Sequence, residues 1–168
     1  VAIVGRPNVG KSTFFNRLTR TMAAIVDETS GVTRDRHYGK VEWGGKTFTL
    51  IDTGGYVSNT DDIFEKEIKK QVHLAMDEAS AIIFMVDVST GITLHDEVIA
   101  EMLRKSPKKV HLIVNKVDNS KRDTEAAEFY GLGLGEFFCI SSVSGSGTGD
   151  LLDSVVESLD NLPEDNHP

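Results

Sequence analysis

Three short segments carry residue types that together can hold a nucleoside triphosphate. Gly5-Arg6-Pro7-Asn8-Val9-Gly10-Lys11-Ser12 has the spacing Gly-x4-Gly-Lys-Ser. In such a loop the glycines let backbone amides curl around a β-phosphate, and the helix that follows aims its positive end at it. Lys11 then bridges the β- and γ-phosphates, and the Ser12 hydroxyl, with Thr13 next to it, lies where Mg²⁺ would bind. Asp52-Thr53-Gly54-Gly55 places a carboxylate within reach of the same ion, directly or through a water, and the Gly55 amide where it can bond a γ-phosphate and lose that bond after cleavage. Asn115-Lys116-Val117-Asp118 can read a base. The Asp118 carboxylate accepts from both N1–H and the 2-amino group of guanine; adenine offers neither donor there and would leave a buried carboxylate unpaired, a cost of several kcal/mol. Lys116 would lie along the ring face, and Asn115 would tie this loop to its neighbours. Ser141-Ser142-Val143 can close the base site, with the Ser142 amide toward the guanine O6. Thr33, in Gly31-Val32-Thr33-Arg34-Asp35, can bring its hydroxyl to Mg²⁺ and its amide to the γ-phosphate.

These segments need elements to hold them. Val1–Val4 is a short apolar run, predicted to be a buried strand that delivers the first glycine loop. Lys11–Arg20 reads as a helix with Phe14, Phe15 and Leu18 on its inner face. Residues 21–36 show no period and read as a long loop of the functional kind. Lys40–Trp43, Gly44-Gly45 and Thr47–Ile51 read as a hairpin, since consecutive glycines supply the positive φ angles of a tight turn. Phe64, Ile68, Val72, Ala75 and Ala79 recur at helical spacing over 62–79. Ala81–Asp87 is an apolar strand. Thr93 followed by Asp96 is a helix-start pair, and Leu94, Val98 and Met102 are expected to line one face of that helix. Val110–Val114 and Phe137–Ile140 are further strands, with a short helix expected over 123–130 and a last one carried by Leu151, Val155 and Leu159. Strands alternating with helices predict a mostly parallel sheet covered on both faces, with one antiparallel edge strand from the hairpin. Gly131-Leu132-Gly133-Leu134-Gly135 lacks a strand before it and a helix after it, and reads as a turn rather than a dinucleotide loop.

Bulk properties exclude other classes. The 168 residues suit one domain, assigned to 1–160, with 161–168 a polar linker toward a further domain. A net charge of −8 gives no general attraction for nucleic acid, so no direct nucleic-acid binding is expected from this domain alone. The apolar runs are too short to span a bilayer, and no cleavable leader pattern is visible. The five histidines have no metal-ligand spacing, and the one cysteine, Cys139, permits no internal disulfide and is expected to be packed in its strand. A reducing cytoplasm is the natural setting.

Gly-Arg-Pro-Asn-Val-Gly-Lys-Ser, Gly-Val-Thr-Arg-Asp and Asp-Thr-Gly-Gly resemble the first of two G domains in the bacterial EngA/Der GTPases, within the wider Era and MnmE-like group, over nearly the whole chain. The resemblance implies a Ras-like P-loop G domain, three-layered α/β/α with a six-stranded sheet. It also implies GTP and GDP as ligands, with Mg²⁺ as cofactor. It further implies a second G domain and a KH-like domain in cis, and a large-ribosomal-subunit precursor as the full-length partner. Residue 56 is Tyr rather than the Gln that orients water in Ras-type enzymes. The resemblance puts a K⁺-holding role on Asn8, which adds it to Lys11, Thr33 and Gly55 as catalytic candidates. Three alternatives stay open: an ATP-dependent phosphotransferase, against which Asn115–Asp118 argues; a nucleotide-sensing module with little turnover; and the G domain of a tRNA-modifying GTPase, which Asp-Thr-Gly-Gly disfavours.

Overall fold

In the computed structural model, residues 1–6, 9–20, 37–53, 61–116, 125–141 and 147–160 are described. The elements run β1 (Ala2–Val4), α1 (Lys11–Arg20), β2 (His37–Trp43), β3 (Lys46–Asp52), α2 (Asp61–Glu78), β4 (Ala81–Asp87), α3 (Leu94–Arg104), β5 (Lys109–Asn115), a 3₁₀ helix (Ala126–Leu132), β6 (Phe137–Cys139) and α4 (Thr148–Asp160). One six-stranded sheet has the order β2-β3-β1-β4-β5-β6. β1 pairs in parallel with β3 and β4, β5 with β4 and β6, and β2 alone runs antiparallel, at the edge. The predicted mostly parallel sheet with one antiparallel edge strand is what forms. Trp43 pairs with Lys46 across Gly44 and Gly45, whose φ angles of 60° and 79° are those a two-residue turn requires.

Strands covered on both faces read as continuous apolar runs, and β4 is buried along its whole length. Its alternate side chains feed two cores. Ile82, Phe84 and Val86 join Ile68, Val72, Ala75 and Ala79 of the α2 side and Ile99, Ala100 and Leu103 of α3. Ala81, Ile83 and Met85 join Phe14, Phe15 and Leu18 of α1 and Leu151, Leu152 and Val155 of α4. Five parallel strands therefore end at one rim, and β1 lies where the chain switches sides, with β3 on one flank and β4 on the other. Loops at that switch point form the ligand crevice of open α/β sheets.

The structure refines three local expectations. The inner face of α3 is Asp96, Ile99, Ala100 and Leu103; Leu94 is 79% exposed, and Val98 and Met102 are only half-buried. Both stripes have helical spacing, but only the one carrying Ile99 and Leu103 meets the sheet, with the short side chain of Ala100 allowing close approach. The helix expected over 123–130 is a 3₁₀ segment reaching Leu132, ended by Gly133 in the left-handed conformation, so the glycine-rich stretch does serve as its stop. Cys139 packs against the core as expected, and stays half-buried because β6 is the sheet's outer strand on that side. The 21–36 loop and the 161–168 linker lie outside the described residues.

Candidate nucleotide site

Gly5 ends β1 with the backbone so near β4 that an added Cβ would stand 2.6 Å from the Met85 carbonyl oxygen; no other residue fits there without movement. Val9, fully buried, pins the returning arm of the loop in the α1–α4 core. The Gly10 carbonyl accepts from the Phe14 amide at 3.0 Å, so α1 begins directly on the loop. Lys11, 5% exposed, turns its ammonium inward, donating to the carbonyls of Gly5 and of Arg6, the latter at 3.1 Å. Burial pushes the Lys11 ammonium down to about 8, opposed by the Asp52 carboxylate and assisted by the Arg6 charge. A desolvated cation at a helix N-terminus is a strong receptor for phosphate oxygens.

Ser12 is in the first turn of α1 and Asp52 at the end of β3, yet the Ser12 hydroxyl donates to Asp52 Oδ2 at 3.2 Å. Two hard oxygen ligands at this spacing fit Mg²⁺. That ion takes one or two protein oxygens and completes its shell with phosphate and water. The described residues hold no cluster of three His, Cys, Asp or Glu that would form an all-protein cage. Thr53, next in the chain, donates its hydroxyl to the Ile3 carbonyl at 2.7 Å and fixes the β3 end against β1. Thr13 is exposed beside Ser12.

The base-reading segment joins the phosphate loop directly. Asn115, 2% exposed at the end of β5, donates its side-chain amide to the Val9 carbonyl at 2.8 Å across 106 residues of chain. This is the tie the sequence predicted for Asn115. Lys116 follows with φ at 68°, a left-handed conformation uncommon for a residue with a Cβ. Its ammonium is 2.7 Å from Asp87 Oδ2. Ser141 is buried just after β6, beyond Ile140, whose amide bonds the Val114 carbonyl. Of the predicted set, Gly5, Arg6, Val9, Gly10, Lys11, Ser12, Thr13, Asp52, Thr53, Asn115, Lys116 and Ser141 fall on this rim. Pro7, Asn8, Thr33, Gly54, Gly55, Asp118, Ser142 and Val143 lie outside the described residues.

Arg6 points elsewhere than a phosphate-binding role would suggest. Its guanidinium donates to the Thr90 hydroxyl at 2.5 Å, and its Nε lies 3.5 Å from Asp96 Oδ1. Sequence reasoning missed Asp87, Thr90 and Asp96 as site residues. Asp87 carried a faint signal, a carboxylate ending an apolar strand; Asp96 was visible only as a helix cap.

Residues 1–116 match the family described as 50S ribosome-binding GTPase (MMR_HSR1). Curated relatives named GTPase Der match almost throughout: 66% identical over 98% of the chain in Christiangramia forsetii, 63% over 98% in Flavobacterium johnsoniae, and 58% over 95% in Porphyromonas gingivalis. The chain spans 36–38% of those relatives' own length. Among solved structures, Aquifex aeolicus Era bound to GDP and AlF4⁻ superposes at a TM-score of 0.74 and 28% identity, covering 99% of this chain and 58% of that one. The G domain of the T. maritima FeoB iron transporter gives 0.68 and 28%, covering 94% and 96%. The chain belongs to the 50S ribosome-binding GTPase family and, within it, to the GTPase Der group.

Proposed function

We propose that this domain binds GTP with Mg²⁺ and hydrolyses it to GDP and phosphate, as a switch. The observation that carries the reading is the Asn115–Val9 hydrogen bond. It joins a loop able to read guanine to a loop able to hold phosphates, so one nucleotide can be held by both. Water attacks the γ-phosphorus as the bond to the β-phosphate oxygen breaks. GDP leaves with the electron pair, and the water's protons end on phosphate and solvent. No covalent intermediate is needed, so the protein contributes position and charge. Lys11 spreads its charge over the β- and γ-oxygens, and Ser12 and Asp52 would hold Mg²⁺, which would neutralise phosphate charge. Thr33 and Gly55 meet the γ-phosphate, so residues 21–36 and 55–62 respond to its loss. Asn8 would hold K⁺, which would supply further positive charge for the reaction, and Asp118 with the Ser141–Val143 segment would enclose the base.

The domain division at residue 160, the linker after it, a second G domain and a KH-like domain in cis, a cytoplasmic setting and a large-subunit ribosomal precursor as partner complete the reading; the chain's coverage of 36–38% of the GTPase Der relatives supports further domains in cis, and the 50S ribosome-binding family supports the ribosomal partner. No helix among the described residues is long and apolar enough to cross a membrane. Tyr56, where Ras-type enzymes carry Gln, favours one second reading: a nucleotide-holding regulator with little turnover.

Single-turnover hydrolysis with equimolar protein and GTP separates the two, because the switch cleaves its GTP and the regulator retains it. Competition between GTP and ATP tests the base assignment; equal displacement would overturn it. Asp118→Asn moves preference toward xanthine nucleotides. Turnover in K⁺ exceeds that in Na⁺, and equal rates would remove the role given to Asn8.

A further inference from the structure

The segment joining β4 to α3, residues 87–96, is gripped at both ends by nucleotide-binding loops. At one end Asp87, 2% exposed, takes the Lys116 ammonium on Oδ2 at 2.7 Å. Its Oδ1 accepts from the Ser89 amide at 2.8 Å and the Ser89 hydroxyl at 2.6 Å. The Val88 amide adds a bond to the Asn115 carbonyl at 3.1 Å. At the other end Asp96 is fully buried. Its Oδ2 accepts from the Thr93 amide at 3.0 Å while its own amide donates to the Thr93 hydroxyl at 3.2 Å, the reciprocal cap of α3. Asp96 Oδ1 faces Arg6 Nε at 3.5 Å. Between the ends, Thr90 accepts from Arg6, and its one hydroxyl proton is shared between the Asp87 carbonyl at 3.2 Å and the Gly91 carbonyl at 3.0 Å. With the Asn115–Val9 bond, these contacts close a ring: phosphate loop, base loop, Asp87, Thr90 and back to Arg6.

A helix cap needs only Oδ2 of Asp96, and burying a carboxylate is costly without a charged partner. Oδ1 is aimed at a residue of the phosphate loop, so the placement serves more than the helix. Asp87 likewise spends one oxygen on its own turn and the other on Lys116. We propose that residues 87–96 form a strap in which Asp87 and Asp96, through Lys116 and Arg6, are positioning residues that couple the base-binding and phosphate-binding halves of the site. This rests on the nucleotide-binding reading above. None of the three residues Asp87, Thr90 and Asp96 touches the nucleotide in this account; each sets where a residue of a binding loop stands.

The test is equilibrium and dissociation-rate measurement with GDP carrying a fluorophore on its ribose, using the full chain. Asp87→Asn and Asp96→Asn each raise Kd about tenfold, and the double variant falls at least threefold short of the product, because a strap released at one end no longer transmits from the other. Thr90→Val raises Kd several-fold while Thr90→Ser, which keeps the hydroxyl, binds as wild type. Thr90 is exposed, so its variants leave the thermal midpoint unchanged and keep the test decisive even where Asp96→Asn fails to fold. If wild type does not bind GDP, the nucleotide-binding reading itself fails. If wild type binds and the variants bind equally well, or if the two single effects multiply, the strap is overturned.

Discussion

Acid weakens this fold through one histidine. His111 lies on β5 and is 3% exposed, with Nε2 3.2 Å from the Ser158 hydroxyl and Nδ1 3.4 Å from the Ser154 hydroxyl, both on α4. Burial pushes its imidazole down to about 4, and the charge of Lys109 adds to the effect. The unfolded chain takes up this proton near 6.5 and the folded chain only near 4, so between those values unfolding is coupled to proton binding. Stability is present in full above 6.5 and is lost as pH falls toward 4. At about 1.36 kcal/mol per pH unit the whole loss is about 3 kcal/mol, of which about 2 kcal/mol falls between about pH 7 and about pH 5. That is a large part of a typical domain's stability. The perturbation is His111→Gln, which keeps a side chain able to bond both serines and removes the titration. Urea unfolding across the pH series gives the readout, and subtracting the variant from wild type removes the carboxylates common to both. The wild type is expected to lose about 2 kcal/mol more than the variant over that interval. Parallel curves for the two proteins, or an imidazole NMR titration centred near 6.5, would refute the reasoning.

Other outcomes follow from single contacts. Asn115→Ala strands the buried Val9 carbonyl, an expected cost of about 1–3 kcal/mol, read as weaker GDP binding by isothermal titration together with a lower thermal midpoint. Gly5→Ala forces a Cβ against the Met85 carbonyl and shifts the phosphate loop; it is expected to cost about 1–3 kcal/mol in urea unfolding and to weaken GDP binding. Lys11→Met removes the cation that meets the phosphates, and equilibrium dialysis is expected to find GTP binding reduced by about 2 kcal/mol or more. Ser12→Ala leaves Asp52 without its 3.2 Å partner, and is expected to raise the Mg²⁺ concentration needed for half-maximal GTP binding about tenfold.

Local chemistry was legible in the sequence wherever the requirement was itself local. Gly-x4-Gly-Lys-Ser between an apolar run and an amphipathic run dictates a strand, a phosphate-binding turn and a helix, and Lys11, Ser12, Phe14, Phe15 and Leu18 stand where that pattern places them. Gly44-Gly45 dictated a tight turn because both positions need positive φ. The continuous apolar run of β4 dictated a strand buried on both faces. Asn115 as a tie between loops was readable because an amide ending an interior strand needs a partner. What only the tertiary structure decided concerns residues whose role depends on what lies opposite. The α3 stripes 94/98/102 and 96/99/100/103 have equal periodicity, and the sheet's position alone selects the second. Asp87, Thr90 and Asp96 are ordinary polar residues until the switch in strand order brings Lys116 and Arg6 against them. The two partners are 29 and 90 residues away in the chain respectively, a distance no local pattern spans.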